Sequence, residues 1–136
     1  MPLLARAYIK AGLLHFAAAL VLGVLVAAQP QFQLSPALRP VYLHLLIVGW
    51  ITQLIIGVAY WMFPKRSKDQ PRGSIRLGWI VFALLNLGLI LRAVGEPLHA
   101  LQPGSFSGAL LAVSAVLQVT AGWLFIANTW GRVKER

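Results

Sequence analysis

Four long apolar runs separated by short polar segments account for most of this chain. They fall at roughly 7–28, 41–63, 75–95 and 109–130. The second is the most continuous: Arg39 to Lys65 reads RPVYLHLLIVGWITQLIIGVAYWMFPK, bracketed by Pro40 and Pro64. From Val41 to Phe63 it has 23 residues. At 1.5 Å per residue these span roughly 35 Å, against about 30 Å for a bilayer core. The pattern predicts four transmembrane helices, the third stopped by Pro97. Residues 29–40 are expected to form an irregular loop with Phe32 and Leu34 dipping into the interface. EPLHALQPGSFSG, after the third run, is expected to be a short neutral loop. The first run shares a basic start and an Ala-Ala-Gln exit with signal peptides. Its length, its internal His15 and the even helix count it completes favour a membrane helix. The predicted fold is all-α: one domain over 1–136, an integral membrane four-helix bundle running up-down-up-down.

Composition agrees. Apolar residues make up 59% and charged residues 11%, where a soluble domain carries about 25% charged. There is no cysteine, which excludes disulfides, iron–sulfur clusters, zinc thiolates and cysteine-linked haem. The net charge of +9 would suit nucleic acid if it formed a soluble basic face. Instead the basic residues flank the apolar runs. Ten of the twelve lie in the N-terminal segment, the 64–76 loop and the C-terminus, leaving Arg39 and Arg92 on the opposite side. By the positive-inside rule both termini are expected to be cytoplasmic, in a multi-pass protein of the cytoplasmic (inner) membrane. The charge then reads as topology and attraction to anionic lipid, with the bilayer as partner and no nucleic acid. Trp61, Trp79 and Trp130 are placed as an inner aromatic belt.

Little chemistry is on offer. Of three carboxylates, Asp69 and Glu135 sit among basic residues, and Glu96 is four residues from Arg92 and can pair with it. No acid–base pair within the membrane, no nucleophile–base motif and no phosphate loop is expected, so hydrolysis and phosphoryl transfer have no support. Three histidines remain: His44 and His99 near the outer ends of their spans, and His15 near the middle of the first. Each is either a metal or haem ligand or a partner in an interhelical hydrogen bond. Thr52, Gln53, Asn86, Ser114 and Gln118 could supply the partners.

On a helical wheel Val48, Ile51, Ile55 and Met62 share the side of His44, an apolar face suited to a macrocycle. Tyr42, Gly49, Gln53, Gly57 and Tyr60 face the other way, as a packing seam. A second chain burying that seam predicts a homodimer. Arg39 and Arg92, at the depth of His44, could neutralise two propionates. Small residues beside His15, such as Gly12 and Ala19, leave room for a flat ligand or for a neighbouring backbone. His44 lies roughly 6 Å and His15 roughly 20 Å from the outer boundary, too far apart to grip one iron. His99 is at the right depth, in what reads as a loop. The sixth position is therefore left to His99, to a histidine of another chain or to an exchangeable ligand, with His15 available to a separate haem.

Residues 39–65 resemble the second transmembrane helix of subunit I of the haem–copper oxidases, closest to the cbb3- and ba3-type branches and their nitric oxide reductase relatives. The shared features are the Arg39-Pro40 start, His44, Gly49-Trp50, Thr52-Gln53 and the Tyr60…Pro64 exit. The whole chain is similar to small stand-alone four-helix proteins of subunit-I-like character, through Tyr8–Leu14 and Leu85–Pro97. The resemblance implies that His44 is an axial ligand of a low-spin haem b. It implies electron transfer with a redox partner, or binding of a diatomic gas such as O2 or NO. With four spans and no histidine cluster the chain cannot build an oxygen-reducing centre, so a complete enzyme is not expected. The alternatives are a copper- or zinc-binding or sensor module using His44 and His99, and a ligand-free assembly subunit.

Overall fold

A computed structural model describes residues 1–28, 34–66 and 71–133; Phe32, Asp69 and Glu135, and the side chain of Leu34, lie outside what it describes. Helix α1 spans Leu3–Ala28. Helix α2, Leu34–His44, runs into a π-helical stretch, Leu45–Thr52, and then into α3, Gln53–Met62. Helix α4 spans Ile75–Leu101 and α5 Ser105–Trp130. There is no strand among the described residues.

Four helices are long and apolar enough to cross a bilayer: Leu3–Ala28, Pro36–Met62, Ile75–Leu101 and Ser105–Trp130. The regular structure of the described residues is thus all-helical and fits a multi-pass membrane protein. Its surface agrees, since leucine, isoleucine and valine side chains stay exposed along every span. Such a surface is stable only where lipid replaces water.

The helices overrun the predicted boundaries at the prolines. Pro40 lies inside α2, and Pro97 lies inside α4 and does not stop it. Each proline deletes one backbone donor, but both sit near the end of their span. One lost hydrogen bond there is outweighed by continued packing. His99 is consequently a residue of α4, not of a loop.

Two apolar clusters hold the helices together. Towards the start of α1, Leu4 and Tyr8 meet Ile56 and Tyr60 of α3, Val81 and Leu85 of α4 and Ala121 of α5. Tyr8 stacks on Tyr60 at 5.9 Å, meets the Phe82 ring edge-on at 5.0 Å and donates its hydroxyl to the Gly78 carbonyl at 3.1 Å. At the other end Ala19, Val41 and Leu45 pack with Leu22, Tyr42, Leu46 and Ala93. Helices α4 and α5 form the most extensive pair, and α1 lies along the second span.

The turn before α4 is fixed from α5. Gly73 adopts φ +74°, a left-handed conformation that glycine takes without steric cost. Asn128 accepts from Ser74 N at 2.9 Å and donates to the Ser74 carbonyl at 3.1 Å and the Tyr60 hydroxyl at 2.9 Å. The Ser74 hydroxyl then caps α4 by accepting from Leu77 N at 3.2 Å.

Candidate functional site

The seam expected on the second span is where the bundle closes. Gly49, Gln53, Gly57 and Tyr60 are all buried. A Cβ on Gly49 would sit 2.8 Å from the His15 Cβ, and one on Gly57 would sit 2.9 Å from the Tyr8 Cβ. Gly12 in turn faces the Trp50 carbonyl. The small residues near His15 therefore admit neighbouring backbone. The seam is filled by this chain's own α1, which removes it as the ground for expecting a dimer. The opposite side is the open one: Ile51, Ile55 and Met62 are exposed.

Within the closed seam lies a polar cluster. Gln53, fully buried, donates Nε2 to His15 Nδ1 at 3.1 Å and to Asn86 Oδ1 at 3.0 Å. Asn86 Nδ2 donates to the Phe82 carbonyl at 2.8 Å and back to Gln53 Oε1 at 3.4 Å. Three helices are tied by one amide, as buried polar groups in a membrane require. With Nδ1 accepting, the His15 proton belongs on Nε2.

His44 occupies different surroundings. It is the last residue of α2, where the helix widens into the π stretch. Thr52 marks the end of that stretch, its hydroxyl donating to the Ile47 carbonyl five residues back at 3.0 Å. The His44 Nδ1 lies 2.9 Å from the Pro40 carbonyl and 3.1 Å from Glu96 Oε1. Both neighbours accept, so Nδ1 carries the proton and Nε2 keeps its lone pair. Glu96 Oε1 also takes Arg92 Nη1 at 3.3 Å, and Arg92 Nε donates to Ser114 of α5 at 3.3 Å. Ser114 is itself anchored, donating to the Gly88 carbonyl at 2.7 Å. The Glu96 side chain is only 9% exposed, and its Oε2 is buried without a hydrogen-bond partner.

His44 also lines an open cleft of about 690 Å³, together with Arg39 and the apolar side chains of Val26, Ala27, Pro36, Pro40 and Leu43. Small-molecule sites are commonly about 300–1,000 Å³ and mostly apolar, with a few placed polar groups. His99 stands apart. Its Nδ1 is 2.9 Å from the Ser107 hydroxyl, which donates to the Gly104 carbonyl at 3.1 Å, so the imidazole pins the α4–α5 turn.

The structure thus joins Arg39 and His44 at one cleft and links His44 through Glu96 to Arg92. It sets His15 apart in the seam and His99 at the turn. One expectation is corrected: an acid–base pair does lie within the spans, formed by His44 and Glu96. Sequence reasoning gave Glu96 to Arg92 alone. The available signal was position, since Glu96 and His44 both lie near the same end of their spans. Among the described residues no three His, Asp or Glu side chains come together as a metal-binding group. No family model matches the chain, nor does any curated protein or solved structure.

Proposed function

We propose that the chain is a membrane b-type haem protein, serving electron transfer or the binding of a diatomic gas, with His44 as the fixed axial ligand. One observation carries this reading: His44 lines an apolar cleft while its Nδ1–H is engaged by the Pro40 carbonyl and Glu96. Haem and metal-binding histidines characteristically donate their second ring nitrogen to a carbonyl or carboxylate, which fixes the tautomer and raises the basicity of the ligating nitrogen. The donor set fits the group. His44 Nε2 would bind iron, Arg39 would pair with a propionate, and Val26, Ala27 and Leu43 would exclude water from the ring. Arg92 is held by Glu96 and Ser114, so it acts on the site through Glu96. When bound, the haem would supply a reversible one-electron couple. The bundle leaves the His44 side open, so a homodimer meeting there would enclose the cleft and offer a second histidine to the iron. The resemblance to haem–copper oxidase subunit I points the same way. The basic flanks argue for the cytoplasmic membrane with both termini inside.

The experiment is the absorbance spectrum of the purified protein, oxidised and reduced. A reducible Soret band with an α band is expected, lost in His44→Ala and retained in His15→Ala. A colourless preparation reconstituted with haem that still shows no Soret shift, or an unchanged spectrum in His44→Ala, would overturn the assignment.

A further inference from the structure

The opposite end of the molecule carries a second site, independent of the haem reading. Arg132, just beyond α5, is 1% exposed. Its Nε donates to the Pro64 carbonyl at 3.1 Å, and Nη2 donates to the carbonyls of Phe63 at 2.8 Å and Tyr60 at 3.2 Å. Its cation stands 5.8 Å from the centre of the Phe63 ring. The remaining nitrogen, Nη1, is buried and has no partner. No carboxylate answers this charge among the described residues. Burial pushes the guanidinium below its ordinary pKa; Tyr60 opposes that shift and the nearby cation of Arg72 adds to it. A buried arginine with an unpartnered N–H and a second arginine nearby is an unfinished anion site, because the planar guanidinium fork suits phosphate.

An apolar cavity of about 190 Å³ adjoins it. Pro2, Leu3, Leu4, Ile75 and Trp79 line it, with Tyr60 and Arg72 in common with the arginine cluster. Free phosphate would use the cations and leave this cavity without purpose. A lipid uses both.

We propose that this end of the bundle binds one anionic phospholipid, its phosphate taken by Arg72 and the free Nη1 of Arg132, and one acyl chain lying in the cavity between the start of α1 and the start of α4. Exposed Trp79, at the cavity wall, suits the headgroup level, where indole rings concentrate.

The test uses the full chain, delipidated in mild detergent, and native mass spectrometry with three probes: phosphatidylglycerol, phosphatidylcholine of the same acyl chains, and inorganic phosphate. One phosphatidylglycerol per chain is expected, bound more tightly than the other two. Arg72→Gln, which keeps the Arg132 contacts to Tyr60, Phe63 and Pro64, is expected to weaken it about fivefold, the usual effect of one basic side chain near an anionic surface. Ile75→Trp, which fills the cavity, should weaken it without changing charge. Arg6→Gln removes a charge at the same end but outside the cavity and should leave the one-to-one complex intact. Asp69→Asn with Glu135→Gln should leave binding unchanged or tighter. Equal affinity for the two lipids, phosphate binding as tight as lipid binding, equal losses in Arg6→Gln and Arg72→Gln, no effect of Ile75→Trp, or a loss in the carboxylate variant would each overturn the proposal.

Discussion

Replacing Gln53 by methionine keeps the side-chain length but removes the amide that ties α1, α3 and α4. Two donor contacts are lost, to His15 at 3.1 Å and to Asn86 at 3.0 Å. Interhelical hydrogen bonds in membrane proteins are worth about 0.6 kcal/mol each on average. To this is added the cost of the acceptors left behind. His15 Nδ1 and Asn86 Oδ1, both half-buried, each lose this donor, and a polar group left without its partner costs about 1–3 kcal/mol when buried. Asn86 keeps one bond, from Nδ2 to the Phe82 carbonyl. Gln53→Met should therefore destabilise the bundle by about 2–4 kcal/mol. A second change separates the contributions. In His15→Phe/Gln53→Met one stranded acceptor disappears, so the double variant should be more stable than the sum of the singles, with a coupling of at least about 0.5 kcal/mol. The assay is reversible unfolding in mixed micelles of mild and denaturing detergent, followed by helical circular dichroism. If Gln53→Met falls within about 0.5 kcal/mol of the parent, the range of an unremarkable surface substitution, or if the double variant is strictly additive, the cluster does not hold the bundle together.

Further outcomes follow from other contacts. Gly57→Ala places a Cβ 2.9 Å from the Tyr8 Cβ and 3.2 Å from the Ala5 carbonyl, and should destabilise by about 1–3 kcal/mol. Gly122→Ala, with nothing within 4 Å of the new Cβ, should instead gain about 0.5–1 kcal/mol from helix propensity; the same unfolding assay reads both. Glu96→Gln removes the anion between His44 and Arg92. It is expected to shift the reduction potential of reconstituted haem upward while leaving haem content intact, since Nδ1 still has the Pro40 carbonyl; an unmoved potential would mean that Glu96 does not tune the ligand. A reporter fused after Arg136 should be active only on the cytoplasmic side, and activity on the far side would refute the charge-based orientation.

The spans were legible because membrane insertion is decided by run length and charge, both printed directly in the chain. So was the division of the second span into a closed and an open side, since Gly49, Gln53 and Gly57 keep an i, i+4 spacing that survives the change in helix type. That change was not legible. A π stretch depends on which carbonyls find other donors, and the Pro40 carbonyl is met by the His44 side chain only in three dimensions. Pro97 misled for a related reason: a missing donor breaks a helix only when nothing else holds the following turn. Here His99 bonds to Ser107 and Gln102 N to the Leu98 carbonyl. The His44–Glu96 pair joins residues far apart in the chain, so local spacing carried no trace of it. Its one clue was shared depth.

The guanidinium of Arg132 has a consequence for biosynthesis. Chains emerge N-terminus first, and segments begin to fold in that order. The carbonyls of Tyr60, Phe63 and Pro64 at the exit of α3 receive their side-chain donor only when residue 132 has been made. Until then that exit depends on interfacial water. The second span therefore reaches the membrane early, while the side-chain donor for its exit is supplied from beyond the fourth span.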